Sequence, residues 1–252
     1  MTTQNIPAAP VTPAAPVAPV AMWSGPRNIS TAMMYAFANR DDCFVWDEPF
    51  YAWYLETTGL DHPMRAEIIA EGETDAKQVI NRCSARHDKL HYQKHMTQHM
   101  LDGLDRSWIT DVKNTFLIRT PEKVLASYTQ KRQDVSLEEI GYVQQLEIFK
   151  QVADHTGTPP PVIDSDKFLA NPLAGLTALC QALGIDFSDK MLTWPQGPKP
   201  YDGVWATHWY NAAHQSTGFS TPAPRDITLP ADLQKIVDKA QPIYDELRQV
   251  AL

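Results

Sequence analysis

The sequence predicts an α/β domain in which a single parallel sheet is flanked by helices. Three observations predict it. Short apolar runs of strand length alternate with helix-like segments from Ala21 to Asp164, and that alternation implies crossover units and a parallel sheet. The first run, Ala21-Met22-Trp23, passes through Ser24-Gly25-Pro26 directly into a helix start, the strand–turn–helix order of an anion-binding loop. Residues 21–252 show no internal repeat and no second composition regime, so they are read as one domain.

The elements follow in order. Ser30 or Thr31 is expected to cap a helix to Asn39. Cys43-Phe44-Val45-Trp46 reads as a buried strand ending in Asp47-Glu48-Pro49. Met64–Ala70 and Asp75–Arg82 read as helices, His91–His95 and Asn114–Arg119 as strands. Pro121 suits the first turn of a helix through Lys131. Ser136 and Glu139 have capping-box spacing for a long helix to His155, which Pro159–Pro161 breaks. Val162-Ile163-Asp164 is a short strand, and Asn171–Leu183 a helix stopped by Gly184. Ser188–Trp194 reads as one more short helix, Pro195–Pro224 as a long irregular stretch and Ala231–Val250 as a final amphipathic helix.

Composition bounds the function. The chain has 252 residues, 43% of them hydrophobic, enough for one substantial core. A formal net charge of -8 excludes a broad nucleic-acid surface. Cys43, Cys83 and Cys180 are too few and too far apart for a disulfide framework or a zinc site, which points to a reducing, cytoplasmic setting. Prolines recur every third residue from Pro7 to Pro19, so residues 1–20 are expected to form a disordered, extended Ala/Pro-rich tail rather than a signal peptide. No segment carries the ~20 apolar residues of a membrane helix.

The chemistry concentrates in Gly25-Pro26-Arg27-Asn28-Ile29-Ser30-Thr31. A helix N-terminus offers unpaired N–H groups and a partial positive charge, and Arg27 adds a planar fork of donors. This is a phosphate-binding loop, although the Gly-Lys-Ser/Thr ending of NTPases is absent. Together with Phe116–Tyr128 and Gln93-Lys94-His95-Met96, the loop resembles PAPS-dependent sulfotransferases (PAPS is 3′-phosphoadenosine 5′-phosphosulfate). The resemblance runs over most of Ala21–Arg132. It implies a P-loop-like fold of the sulfotransferase type, with the loop on the 5′-phosphosulfate and Arg119 and Ser127, eight positions apart, on the 3′-phosphate. Ile29 and Ala32 stand where the family commonly has Gly and Trp, the latter an aromatic that stacks on adenine in many members. The late family loop carries Arg-Lys-Gly; this chain has Ser216-Thr217-Gly218-Phe219, and Phe219 is the candidate contact to adenine.

Lys94-His95 resembles the family's Lys-x-His at a strand end. The resemblance makes His95 the proton acceptor and Lys94 a companion at the bridging oxygen. Glu48 is the second candidate base, like that of carbohydrate sulfotransferases. The same Asp47-Glu48 pair also reads as a magnesium-handling strand end. His87, His91, His95 and His99 recur every four residues, but a third metal ligand is missing, so no metal site is assigned. Phe50, Tyr51, Trp53 and Tyr54, with Trp205, are expected to wall the pocket of a small acceptor. Trp23, Glu48, His95 and Arg119 all fall at predicted strand ends, where ligands of such sheets bind.

The sequence therefore predicts sulfuryl transfer from PAPS to a hydroxyl or amine of a small molecule. A P-loop kinase or NTPase using Mg-ATP, and a non-catalytic nucleotide-binding module, are the alternatives.

Overall fold

The computed structural model describes residues 16–132, 135–221 and 226–252. Among the described residues five strands form one sheet: β1 (Val20–Ser24), β2 (Cys43–Asp47), β3 (Leu90–Met96), β4 (Lys113–Ile118) and β5 (Val162–Asp164). Their order across the sheet is β2-β3-β1-β4-β5, and every pairing is parallel. Helices supply the crossovers: α1 (Ser30–Ala38), α2 (Tyr51–Thr58), α3 (Arg65–Glu71), α4 (Ala76–Ser84), α5 (Pro121–Tyr128) and α6 (Tyr142–Thr156). After β5 come α7 (Ser165–Ala170), α8 (Pro172–Leu183), α9 (Ala206–Trp209), α10 (Asn211–Gln215) and α11 (Ala231–Arg248).

The sheet is buried on both faces. Val20, Met22, Tyr92 and Leu117 pack into one core beneath α1 and α8. Ala21, Trp23, Phe116 and Ile118 pack into the other, beneath α5, α6 and α11. Side chains of a strand alternate between faces, so each residue's neighbour along the strand belongs to the opposite core.

Four details depart from the sequence reading. Residues 1–15 of the expected tail lie outside the described residues, but Val17 N–H already donates to His87 O (2.7 Å) and Lys113 N–H to Pro19 O (2.8 Å). Val20 opens β1 and is fully buried, so the ordered domain starts before residue 21. The Ser136/Glu139 capping box forms, with Ser136 N–H to Glu139 Oε2 at 3.0 Å and Glu139 N–H to Ser136 Oγ at 3.3 Å. It closes a separate turn, however, and α6 starts only at Tyr142. Gly141 separates the two at φ 71°, where an added Cβ would lie 2.4 Å from Thr97 Oγ1. Ser188–Trp194 contains only a 3-10 turn, Asp189–Leu192. Part of the long irregular stretch is helical, as α9 and α10, and residues 222–225 of it lie outside the described residues.

Candidate functional site

The loop after β1 does not cap its helix as the sequence suggested. Ile29 occupies the N-cap position of α1 at φ 57°, and no side chain accepts from the first turn. Ser30 and Thr31 line a cavity of about 320 Å³, and the first-turn N–H groups of α1 are left without a side-chain cap. Arg27 is also left-handed, at φ 63°. A β-branched residue at positive φ is a rare, strained conformation, and it falls where the family resemblance places glycine. Gly25 is required for a different reason: a Cβ there would meet Ile140 O at 2.3 Å.

Tertiary contacts set the rest of the loop. Asn28 Nδ2 donates to Leu117 O (3.2 Å), and Ser165 Oγ donates to Asn28 O (3.3 Å). Arg119, just past β4, donates from a terminal nitrogen to Arg27 O (2.9 Å). Arg27 Nε donates to Ser127 Oγ (2.9 Å) on α5. Pro26, Arg27, Asn28, Ile29, Ser30, Thr31, Arg119 and Ser127 all line the cavity. Two guanidinium groups are thus held close together. Burial, and for Arg27 the charge of Arg119, push both below their ordinary pKa. Arg119 Nε is buried without a partner. Such a pair repels itself until a multiply charged anion neutralises it.

Opposite stands a buried ionic cluster. Lys94 Nζ donates to Asp47 Oδ1 (2.9 Å) and Glu48 Oε1 (2.6 Å). Tyr210, between α9 and α10, brings its hydroxyl to Asp47 Oδ2 (2.8 Å) and to Lys94 Nζ. Trp205 Nε1 donates to that hydroxyl at 3.1 Å. Register explains the meeting, because Asp47 pairs with Lys94 across β2 and β3 and both side chains point to one face. Glu48 lies just beyond β2 at φ 40°. Burial raises its pKa, against the opposing pull of Lys94.

His95 is a correction. It follows Lys94 along β3, so its ring points to the other face of the sheet. There it stacks on Trp23 at 4.4 Å and sits 5.5 Å from Trp108. It is 1% exposed, lines no part of the cavity, and its Nε2 is 3.0 Å from Gln93 Oε1. Gln93 Nε2 donates to Cys83 O, which leaves Oε1 as the acceptor of that contact. Burial pulls the His95 pKa down to about 3. Strand alternation, not distance along the chain, removes it from the crevice.

The expected aromatic wall divides in the same way. Tyr51 lines the cavity, whereas Phe50 packs into the opposite core against Trp108 at 5.8 Å. Trp53 is wedged between the two cores. Tyr54 lies tilted against His99 behind the wall (4.7 Å), and Trp205 supports Tyr51 edge-on (5.1 Å) without reaching the cavity. Phe219 does line it, held edge-on by Phe168 (4.7 Å) and Trp194 (5.0 Å). The structure adds His62, Gln98, His99, Tyr128, Trp209 and Tyr210. The only signals for these in the sequence were the His stripe and the aromatic late loop. Among the described residues no three His, Cys, Asp or Glu side chains converge as metal ligands, and no helix is long and apolar enough to cross a membrane.

Buried neutral histidines predict acid lability. Burial lowers His62 and His91 from 6.5 to about 4, and His95 to about 3. Folded-state values below the unfolded one mean that unfolding takes up protons. Their contribution is complete above pH 6.5 and is lost as pH falls through 4. The unfolding free energy measured in urea should therefore fall steeply between pH 6.5 and 4.5, by up to about 1.4 kcal/mol per pH unit for each histidine. A stability flat across that window would contradict neutral burial.

Comparison with known proteins bears on the family and the fold. A family model described as a sulfotransferase domain matches residues 19–251. Two Arabidopsis thaliana proteins, branched-chain-amino-acid aminotransferase-like proteins 2 and 1, are each 38% identical over 228 residues. That match spans 90% of this chain but only 40% and 41% of theirs, so their names assign no chemistry to the shared region. Among solved structures, the sulfotransferase domain of the Synechococcus PCC 7002 olefin synthase superposes with a TM-score of 0.58 at 19% identity, covering 92% of this chain and 96% of that one. A sulfotransferase from Alicyclobacillus acidocaldarius gives 0.54 at 11%, covering 94% and 95%. A mouse sulfotransferase complexed with PAP gives 0.50 at 9%, covering 92% and 88%. The structures share the fold, and the family model spans all five strands, so the chain belongs to the sulfotransferase-domain family.

Proposed function

We propose that this domain transfers a sulfuryl group from PAPS to a hydroxyl or amine of a small acceptor. The observation that carries the reading is the pairing, in one cavity, of the Arg27–Arg119–Ser127 cradle with the Glu48–Lys94 pair. The self-repelling guanidiniums and the free α1 N-terminus suit a ligand with phosphates at both ends of a nucleoside. Arg119 and Ser127 would hold the 3′-phosphate, and Gly25–Thr31 the 5′-phosphosulfate. Phe219 would take the adenine-stacking part that Ala32 lacks. When bound, PAPS supplies an activated sulfuryl group with a phosphate as leaving group.

The chain's own residues supply three functions. Arg27 and the α1 N–H groups stabilise charge that grows on the leaving phosphate. Glu48 takes the proton of the acceptor, helped by the rise that burial gives its pKa. Lys94 holds Glu48 in place. The Mg-ATP reading is weakened because Lys94 and Tyr210 already occupy both oxygens of Asp47 and Oε1 of Glu48, leaving Oε2 of Glu48 for the acceptor's proton.

The test is a thermal-shift panel. The native-state ligand 3′,5′-ADP should raise the midpoint more than 5′-ADP, with or without Mg²⁺. Equal shifts, or an ATP shift that needs Mg²⁺, would favour the NTPase. Arg27→Ala and Arg119→Ala should each cost about 1.5–3 kcal/mol of 3′,5′-ADP affinity. Only Arg27→Ala should also slow the chemical step strongly. Normal 3′,5′-ADP binding by Arg119→Ala would sink the clamp assignment.

A further inference from the structure

Resting on the reading above, we propose that Asp202 is a positioning residue: it fastens the late segment 195–220 onto α1 and so sets the base half of the cavity against the nucleotide half. That segment gives the cavity Trp209, Tyr210, Ala213, Ser216 and Phe219, while Asp202 itself stands behind the lining. The Asp202 side chain is 5% exposed. Tyr35, in the second turn of α1, donates its hydroxyl to Oδ1 (2.9 Å) and Oδ2 (3.0 Å). Lys199 N–H donates to Oδ2 (2.8 Å), and His214 Nε2 on α10 lies 2.9 Å from the same oxygen. A carboxylate only accepts, so Nε2 carries the hydrogen in that contact. Burial, then the charge of Asp202, raise the Tyr35 pKa and keep its hydroxyl a donor.

From this carboxylate, connections run to both halves of the site. Tyr35 is fully buried on α1, the helix that the Gly25–Thr31 loop leads into. His214 lies one turn after Tyr210 and donates its N–H to Tyr210 O (2.8 Å). Tyr210 in turn places its hydroxyl 2.8 Å from Asp47 Oδ2. Gly203, next in the chain after Asp202, donates its N–H to that same Asp47 oxygen (3.3 Å). A Cβ at Gly203 would meet the Trp205 ring at 2.2 Å, so only glycine lets the chain pass there.

Burial gives the link its force. A carboxylate out of water is stable only while its donors stay in place, so the positions of α1 and α10 are tied to each other. The far end of the segment is held separately, by Trp194 N–H on Thr217 O (3.1 Å) and Trp194 Nε1 on Ser216 Oγ (3.1 Å). Without Asp202 the stretch before that anchor would stand in its closed position only part of the time. A site that is complete for a fraction of the time binds its ligand more weakly by that fraction.

The experiment uses the whole chain, with 3′,5′-ADP as the probe. Calorimetry should find its affinity at least about tenfold lower in Asp202→Ala, although residue 202 lies outside the lining. Amide hydrogen exchange of residues 199–214 should be at least about tenfold faster in the same variant. Asp202→Asn should stay within about threefold of the parent in both readouts, because its oxygen accepts from Lys199 and His214 while its amide donates to the Tyr35 oxygen. Where Asp202→Ala fails to fold by circular dichroism, Tyr35→Phe and His214→Leu each remove one contact and should each shift both readouts about fivefold. A destabilised Asp202→Ala with parental affinity for 3′,5′-ADP would mean a structural role only, and overturns the proposal. Unchanged exchange of 199–214, or Asp202→Asn as impaired as Asp202→Ala, overturns it as well. Should the parent chain fail to bind 3′,5′-ADP while the exchange pattern holds, the sulfotransferase reading falls and the fastening by Asp202 stands.

Discussion

Replacing Lys94 by methionine is expected to lower the unfolding free energy by about 3–5 kcal/mol, the cost of leaving buried charge uncompensated. The side chains of Lys94 and Asp47 are each 2% exposed and that of Glu48 is 10% exposed. Without the ammonium, two carboxylates face each other in the interior with, among the described residues, only Tyr210 and Gly203 N–H as donors. Methionine fills much the same volume, so the loss measures charge more than packing. Asp47→Asn combined with Lys94→Met should recover part of the loss, because the two residues act as one unit. Urea unfolding of the single and double variants checks this. A single variant as stable as the parent would mean that the cluster contributes no net electrostatic stability, and additive losses would mean that the two residues do not couple.

Glu48→Gln should reduce turnover about 10²–10⁴-fold, the usual worth of a general base. It should leave 3′,5′-ADP affinity within a few-fold, because Glu48 lies away from the Arg27–Arg119 pair. His95→Phe, by contrast, should keep turnover within a few-fold. Its ring can still stack among Trp23, Phe50 and Trp108, and it meets no part of the cavity. In the parent enzyme kcat should rise with pH through the elevated pKa of Glu48, since only its ionised form accepts a proton. A folded but dead His95→Phe beside an active Glu48→Gln would reverse the assignment and return the base to His95.

Much of the fold was legible because it is encoded locally. The apolar run from Val20 to Trp23, the Gly25-Pro26 turn and the helix beyond are contiguous, and each reads from its own residues. The eight-residue spacing of Arg119 and Ser127 spans one strand end and the helix behind it, and the structure brings both to Arg27. A helix boundary was missed where local signals compete. The Ser136/Glu139 box is a sound start signal, but a left-handed turn at Gly141, where Thr97 leaves no room for a Cβ, separates it from α6.

What the chain determined by itself was therefore the order of its elements, the Gly25–Thr31 loop and the basic pair beside it, all set by neighbours within a few turns. Which face of the sheet each strand residue serves was decided by the tertiary structure alone. Leu90, Tyr92, Lys94 and Met96 alternate with His91, Gln93 and His95, and every one of them is buried. With helices over both faces there is no solvent side, and so no polar–apolar alternation to reveal the direction of either set. Only the register of Asp47 with Lys94, and of Trp23 with His95, separates the ionic cluster from the aromatic core. The same holds for Tyr210, which closes that cluster across 163 positions of sequence. A contact of that span depends on how the late loop packs over the finished sheet, and no local pattern around Tyr210 carries it.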